Sequence, residues 1–243
     1  MKIIVIADAH ANLPALRAVL EEIDQIGYDQ LFHIGDAIAI GPQPRECVEL
    51  LLETPRSFFI RGNHESYFTD GIRPKDRESM SGEELLHQQW THAQLSPRLR
   101  NIMSEWPYVI EREFKGCKTT FLHYGLDESG RDFVWYGKNP SPSDLDKMFG
   151  DCNSEIIFYG HSHFQSDTQG QKRHINPGSL GCSKLAEARY CIAEFDNNDY
   201  FIEYCSAPYD DHELYETFEK REVPAREFIY KAFFGNRFTT NNS

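Results

Sequence analysis

The sequence predicts an α/β sandwich in which two mixed β-sheets are flanked by helices. Three observations predict it. Five short apolar runs rich in Ile, Val and Phe are bounded by Gly and polar turns, as buried strands are. Amphipathic helical segments alternate with the first three runs, and a polar helical segment separates these from a second set of strands. With 243 residues, 40% of them hydrophobic, we expect a single domain over 1–238 and a disordered tail over 239–243.

The first half of the chain alternates strands and helices. Apolar runs at 3–6, 31–34 and 58–60 predict three strands. Between the first two, apolar residues recur three or four positions apart, which predicts an amphipathic helix over 14–26. A second helix is predicted over 45–53.

The segment 66–107 is polar and helical, which indicates an inserted cap or side wall. We predict helices over 83–90 and 98–106, with Ser96-Pro97 opening the second. His87, Trp90 and His92 are candidates for the substrate cleft. Cap packing for Trp90 and a solvated polar face for the two histidines is the favoured alternative.

The second half begins with a predicted hairpin, 110–114 with 119–122, about a Lys-Gly turn. A strand over 156–159, a strand end and turn over 174–181, and a hairpin of 189–195 with 200–204 about Asn197-Asn198 follow. A closing helix over 224–234 covers the sheet or a partner chain. The aromatic loop 127–142 is either a substrate wall or surface packing.

Each of the five apolar runs ends in residues that can hold a metal ion. They are Asp8 and His10, Asp36, Asn63 and His64, His123, and His161 and His163. Sites in open α/β sheets form outside the carboxyl ends of the strands, so these residues can converge. On extended backbone, positions i and i+2 face the same way, so the first and last pairs each form a two-armed ligand. Gly35, Gly62 and Gly160 precede ligands and suit sharp turns.

Taken singly, these residues have ordinary explanations. His123 alone would be a hydrogen-bonded core histidine, which is how we interpret His33 within its own apolar run. Asp36 alone would be a turn residue or helix N-cap, and Asn63 an Asx turn. Together they favour a metal site, because buried unpaired Asp and His at several strand ends would carry a large desolvation cost.

In these motifs the chain resembles the calcineurin-like metallophosphoesterase superfamily, in a branch of small stand-alone bacterial and archaeal members. The family pattern of D-x-H, G-D-x-x-x-x-G, G-N-H-[DE], a lone His and G-H-x-H is matched in order. The matching segments are 8–10, 35–41, 62–65, His123 and 160–163. Segments 12–16 and 176–179 extend the resemblance, while Ala11 departs from the Gly that many members carry.

The resemblance implies two divalent metal ions. Asp8, His10 and His163 would hold one ion, and Asn63, His123 and His161 the other, with Asp36 bridging both. Mn is the first expectation for both, with Fe, Zn, Ni, Co or Mg as alternatives; such mixed O and N ligands disfavour Ca and a cysteine-type zinc site. The pair would activate a hydroxide for attack on phosphorus. His64, which is not needed as a ligand, would meet the leaving group.

The implied activity is hydrolysis of a small phosphomonoester or phosphodiester. A serine/threonine protein phosphatase or a dinucleotide-polyphosphate hydrolase is the alternative, because Arg61 fits the R-G-N-H-E signature of the protein phosphatases. Segment 35–41, however, lacks their second Asp and has Ile40 in place of their phosphate-clamping Arg. A non-catalytic scaffold with the same fold is a second alternative, which the intact ligand set disfavours.

Net charge and composition limit the classes of binding partner that we expect. A net charge of −13 argues against a general nucleic-acid surface, although a small nucleotide stays a candidate substrate. No apolar stretch approaches the roughly 18–20 residues of a membrane span, and Met1-Lys2-Ile3 leads directly into a strand, so we expect no membrane association and a cytoplasmic location. The six cysteines form no C-x-x-C motif, which favours reduced thiols. The sequence leaves the oligomeric state and the physiological substrate open.

Overall fold

A computed structural model describes residues 1–137 and 139–238. The first sheet has the strand order β10-β9-β1-β2-β3. Its strands are β1 (Lys2–Ile6), β2 (Gln30–His33), β3 (Ser57–Phe59), β9 (Glu187–Asp196) and β10 (Asp199–Pro208). The β1, β2 and β3 strands are parallel, while β9 runs antiparallel to β1 and β10 antiparallel to β9. The first predicted strands and the last hairpin are therefore confirmed as one mixed sheet.

The second sheet has the order β4-β5-β6-β8-β7. It contains β4 (Val109–Phe114), β5 (Cys117–Leu122), β6 (Ile156–Phe158), β7 (Gln165–Gln169) and β8 (Arg173–Pro177). Its central pairs β5–β6 and β6–β8 are parallel, and both edge pairs are antiparallel. The predicted α/β sandwich of two mixed sheets is confirmed.

The two sheets face each other across an aromatic core. Phe32 of the first sheet stacks on Phe121 of the second, with ring centroids 4.0 Å apart, and Phe121 stacks in turn on Phe158 at 5.2 Å. Strand β1 is buried on both faces: Ile3 and Val5 lie in this inner core, whereas Ile4 and Ile6 pack in the cluster beneath the helices. Central strands buried on both sides are continuous apolar runs, which is why β1 is visible in the sequence.

Nine α-helices are formed within the described residues: α1 (Leu13–Ile26), α2 (Pro44–Glu53), α3 (Asn63–Thr69), α4 (Pro74–Ser79), α5 (Gly82–Ala93), α6 (Pro97–Ser104), α7 (Pro142–Met148), α8 (His212–Lys220) and α9 (Arg226–Phe233). Helix α1 begins with Asn12, whose side chain accepts the Ala15 N–H, and α6 begins with Ser96 in the same role toward Leu99. Helices α3 to α6 lie between β3 and β4, where the insertion was predicted.

Several elements were not predicted. Strand β7, QSDTQ, is polar and edge-located, so it carries no apolar run. Helices α3, α4 and α7 have only six or seven residues, too few for a helical period to appear. The closing helix, α9, packs with α8 around Ile40 and Cys182, so the prediction that it covers the sheet is wrong. The predicted disordered tail lies outside the described residues. No helix in the described ranges is long and apolar enough to cross a membrane.

Candidate metal centre

All eight predicted site residues lie in loops at the carboxyl ends of strands or in the first turn of helix α3, which follows β3. The prediction that Asp8 and His10, and His161 and His163, lie on extended backbone is wrong. The φ angles of Asp8, His10, His161 and His163 are 54°, 45°, 68° and 62°, in the left-handed region. The side chains therefore converge through tight left-handed turns, a conformation that costs free energy for residues other than glycine.

Three of the residues form one group. The Nε2 atoms of His10 and His163 are 2.9 Å apart. Each also faces Asp8 Oδ1, at 3.9 Å from His10 and 3.7 Å from His163. Asp8 is fully buried and His10 is 1% exposed, so the group is closed to bulk water on the side of β1.

A second group lies beside the first. Asn63 Oδ1 is 2.9 Å from His161 Nδ1 and 3.2 Å from His123 Nε2. Asp36 lies between the groups, since its Oδ2 is 3.2 Å from His123 Nε2 and 3.9 Å from His10 Nε2. His161 and His163 thus belong to different groups, and the prediction that they form one two-armed ligand is wrong.

Two histidines are held by backbone carbonyls so that Nε2 of each faces the cluster. His10 Nδ1 contacts the Ile38 carbonyl at 3.2 Å, and His123 Nδ1 contacts the Ile34 carbonyl at 2.9 Å. A carbonyl only accepts, so each Nδ1 carries the proton and each Nε2 presents a lone pair. These lone pairs point toward carboxylate and amide oxygens, which are also acceptors. A set of convergent acceptors of this kind fits a bound cation.

Burial and neighbouring charges shift the pKa values of the cluster. Burial raises the pKa of Asp8 to about 8 and lowers that of His161 to about 3 and that of His163 to about 4. Burial alone would raise the pKa of Asp36, yet the His123 and His64 imidazoles hold it well below its usual range. Burial alone would lower the pKa of His123, but the Asp36 carboxylate raises it to about 9. Asp36 therefore draws positive charge to the lone pair of His123 Nε2, and either a proton or a bound cation can supply that charge.

Comparison with known proteins identifies the family. The model of the calcineurin-like phosphoesterase superfamily domain matches residues 1–198. This chain belongs to the calcineurin-like phosphoesterase superfamily.

The chain is also similar to individual proteins in sequence and in structure. An uncharacterized protein of Methanocaldococcus jannaschii is 32% identical over 240 residues, covering 91% of this chain and 93% of its own. The phosphodiesterase YfcE of Escherichia coli K12 is 26% identical, covering 76% of this chain and 82% of its own. The crystal structure of a metallophosphoesterase from Sphaerobacter thermophilus has the same fold, with a TM-score of 0.71, 23% identity, and coverage of 94% and 97% of the two chains.

Glu65 joins two of the phosphoesterase loops. Its buried carboxylate accepts the backbone N–H groups of Asp36, Ala37 and Gly62, each at 2.8 Å. It therefore fixes the loop that carries Asp36 to the loop that carries Asn63. In the sequence, Glu65 stands out only as part of the motif at 62–65. An acidic residue three positions after a helix-opening Gly was the available signal.

Two glycines allow the loops to approach each other. A Cβ at Gly62 would lie 2.2 Å from Asp36 Oδ1, and a Cβ at Gly35 would lie 2.5 Å from His123 Nδ1. Gly35 also has a φ of 97°, which favours glycine. The predicted sharp turn is confirmed at Gly35, whereas Gly62 is extended and serves the close approach of the two loops.

Side chains at the end of β8, just after it and at the start of α1 support the ligand loops. Asn176 Nδ2 donates to the Gly160 carbonyl, and Ser179 Oγ donates to the Asp8 carbonyl. Asn12 Nδ2 donates to the Gly181 carbonyl, closing the same layer. These residues lie in segments 12–16 and 176–179, so the extended resemblance consists of residues that support the ligand loops.

Arg61 and His87 are structural. Arg61 donates to Asp70 Oδ2 at 3.0 Å and to the Ser104 carbonyl, and it is 7% exposed, so its guanidinium ties α3 to α6. His87 is buried, which contradicts the predicted solvated face. Its Nε2 accepts the Ile40 N–H at 2.8 Å, and its Nδ1 contacts the Pro224 carbonyl at 3.2 Å.

The other two cap residues, Trp90 and His92, make their ring contacts away from the candidate metal centre. Trp90 packs against the α8–α9 cluster, as the packing alternative predicted. The ring of His92 lies 5.3 Å from that of Phe68, and it is half-buried rather than solvated.

The aromatic loop reaches the cluster. The Phe133 ring lies 5.7 Å from His123, edge to face, and the Trp135 ring lies 5.4 Å from His161. Phe133 is half-buried, while Trp135 is 59% exposed. An exposed indole beside a cluster histidine is in the place where a substrate wall was predicted.

Proposed function

We propose that this phosphoesterase is a metal-dependent hydrolase of small phosphomonoesters or phosphodiesters. The observation that carries the proposal is the convergence of two groups of imidazole nitrogens and carboxylate or amide oxygens on either side of Asp36. Only a cation or a proton donor can neutralise so many acceptors, and the described residues offer no Lys or Arg hydrogen-bonded to them.

The proposed ligands divide as the two groups do. Asp8, His10 and His163 would hold one divalent ion, and Asn63, His123 and His161 a second, with Asp36 shared. When bound, such ions supply Lewis-acid charge to phosphoryl oxygens and lower the pKa of water. Mn is the first candidate because the set mixes hard oxygen and imidazole ligands, and Fe, Zn, Ni, Co or Mg are the alternatives.

His64 is proposed as the residue that meets the leaving group. Its backbone N–H donates to Asp36 Oδ1 at 3.0 Å, which fixes the residue beside the shared carboxylate. Its Nε2 lies 4.0 Å from Asp36 Oδ2 and its side chain is 13% exposed, so the imidazole borders the cluster and still reaches solvent. A hydrogen bond from Nε2 to the departing oxygen, or to a phosphoryl oxygen, is its expected contribution.

Small esters are favoured over phosphoproteins. Ile40, which stands where protein phosphatases carry an Arg, is 6% exposed and packs in the α8–α9 cluster, so no cation clamps a phosphate from that position. The relative YfcE is named a phosphodiesterase, which makes a diester the first substrate to test. Trp135 offers an exposed ring on which a nucleobase or aryl group can stack, so nucleotides are the natural candidates.

The test measures metal and turnover together. We expect protein purified without chelator to contain up to two divalent ions per chain and to hydrolyse bis-p-nitrophenyl phosphate when Mn is added. Chelation should abolish turnover and lower the melting temperature, because an ion that binds only the folded state stabilises it. A chain that binds no divalent ion and cleaves none of a panel of nucleotides, cyclic nucleotides, p-nitrophenyl esters and phosphopeptides would support the scaffold alternative. Turnover of phosphopeptides a hundredfold above every small ester would support a protein phosphatase.

A further inference from the structure

Among the described residues, one side chain of the cap insertion is hydrogen-bonded to the His64 ring. Gln88, in the middle of α5, is 1% exposed, and its Nε2 lies 2.9 Å from His64 Nδ1. The other contacts of the His64 ring are edge-to-face, with His10 at 5.3 Å and with Tyr67 at 5.8 Å between centroids. Ring packing fixes the plane of an imidazole, but it does not determine which nitrogen carries the proton.

The Gln88 amide determines which nitrogen of His64 carries the proton. In this orientation of the amide, Nε2 donates, so His64 Nδ1 accepts and the proton of the neutral ring lies on Nε2. Nε2 is the atom that faces Asp36 Oδ2 and the metal cluster. Gln88 therefore turns the donor edge of His64 toward the place where a phosphoester would react.

The rest of the Gln88 environment agrees with this single task. Its Oε1 is buried and has no hydrogen-bond partner among the described residues, so the amide is not held by a backbone network. A buried polar atom without a partner costs free energy. Among the described residues the Gln88 amide is therefore held by the His64 ring and not by the backbone of α5.

We propose that Gln88 is a positioning residue that keeps His64 in the tautomer protonated at Nε2. The proposal rests on the proposed function, because it assigns a use to the Nε2–H of His64 during phosphoester hydrolysis. It links the cap insertion to the chemistry: α5 is anchored to the phosphoesterase loops by His87, which accepts the Ile40 N–H, and the next residue, Gln88, orients the imidazole.

The test replaces Gln88 by Met, which has a similar length and no donor, with Gln89→Met on the exposed side of the same helix as the matched control. We expect Gln88→Met to lower kcat about tenfold, as loss of one orienting hydrogen bond should, with KM changed less than about twofold. Metal content should be unchanged. In a His64→Ala background, Gln88→Met should cost no further activity, because the two residues act as one unit.

A spectroscopic readout keeps this proposal separate from the proposed function. Side-chain ¹⁵N spectra should show His64 protonated at Nε2 in the wild type and in Gln89→Met, and a mixture of tautomers in Gln88→Met, whether or not the protein turns over any ester. If Gln88→Met does not fold, Gln88→Ala serves in its place, because alanine is well tolerated within a helix. A wild-type His64 protonated at Nδ1, or an equal loss from Gln88→Met with and without His64, would overturn the proposal. Absence of esterase activity with the expected tautomers would instead count against the proposed function alone.

Discussion

Two buried histidines, at the ends of strands in the two facing sheets, have opposite surroundings. His33 ends β2 within the strand, and His123 follows the end of β5; neither is exposed. His123 donates Nδ1–H to a carbonyl and faces Asp36 and Asn63 with Nε2. Neither ring nitrogen of His33 has a hydrogen bond to another described residue, and the prediction of a buried core residue is confirmed.

The difference shows what distinguishes a candidate ligand from a core residue. Burial lowers the pKa of His33 to about 3, so it stays neutral in the sheet. Its register partners, Ile6 and Phe59, pack on the helix side of the sheet, which places His33 among apolar neighbours. His123 is equally buried, but its Nδ1–H donates to a backbone carbonyl and its Nε2 faces the acceptor oxygens of Asp36 and Asn63. The partners of each nitrogen, rather than burial, mark the site.

The largest effect is expected at the residue between the two groups. Asp36→Asn removes the charge shared by both proposed ions, so turnover should fall to background and bound metal should decrease. Metal analysis and bis-p-nitrophenyl phosphate assays measure this, with Asp24→Asn on the exposed face of α1 as the control. A variant that keeps both metals and wild-type turnover would remove the basis for treating strand-end residues as ligands.

The next effect separates chemistry from binding at the cluster. His64→Ala should lower kcat by roughly 10²–10⁴-fold while leaving metal content nearly intact, because His64 is proposed as a donor and not as a ligand. The loss should be smaller for p-nitrophenyl esters than for alkyl or nucleoside esters, whose leaving groups need a proton. His212→Ala, on a largely exposed side chain, is the control. Loss of metal would show that His64 belongs with His123 as a ligand.

A smaller effect on the site is expected at Glu65, which joins the loop that carries Asp36 to the loop that carries Asn63. Glu65→Gln keeps one acceptor but turns an NH₂ group toward backbone donors that now meet a carboxylate. We expect metal affinity to fall about 10–100-fold, as for other residues that support ligands. The free energy of unfolding should drop by about 1–3 kcal/mol. Calorimetric metal titration and urea unfolding measure the two, with the exposed Glu83→Gln as control. Unchanged affinity would mean that the ligand loops hold their shape without this carboxylate.

The smallest effect on activity is expected at His33. His33→Leu removes two buried unsatisfied nitrogens, so we expect unchanged turnover and an unfolding free energy at pH 7 that is equal or up to about 2 kcal/mol higher. The pH dependence should also change. A histidine whose pKa falls from 6.5 to about 3 on folding binds protons more readily when unfolded. The stability it contributes is present above pH 6.5 and is lost as pH falls toward 3, at about 1.4 kcal/mol per pH unit.

Urea unfolding between pH 7 and pH 4 checks this. His33→Leu should have a shallower slope than the wild type, and the exposed His212→Leu should not. A loss of activity in His33→Leu would erase the distinction between the two histidines.

The sequence by itself determined the candidate site residues and most of the strands. Buried strands such as β1 must be apolar on both faces, and residues at their carboxyl ends must meet at one edge of the sheet, so the eight candidates could be named from position alone. Their motif order identified the family. Apolar periodicity was also enough for α1, α2 and the last hairpin, because each buries a regular stripe.

Only the tertiary structure decided how these residues face one another. The left-handed turns at Asp8 and His161 replace the extended backbone that the sequence implied, and they place His161 and His163 in different groups. The Glu65 carboxylate and the Gln88 amide act across 29 and 24 positions of chain, respectively. Contacts of this range depend on how the cap helices close over the sheet. A local pattern has no period or spacing that encodes such a distance, so these contacts follow from packing alone.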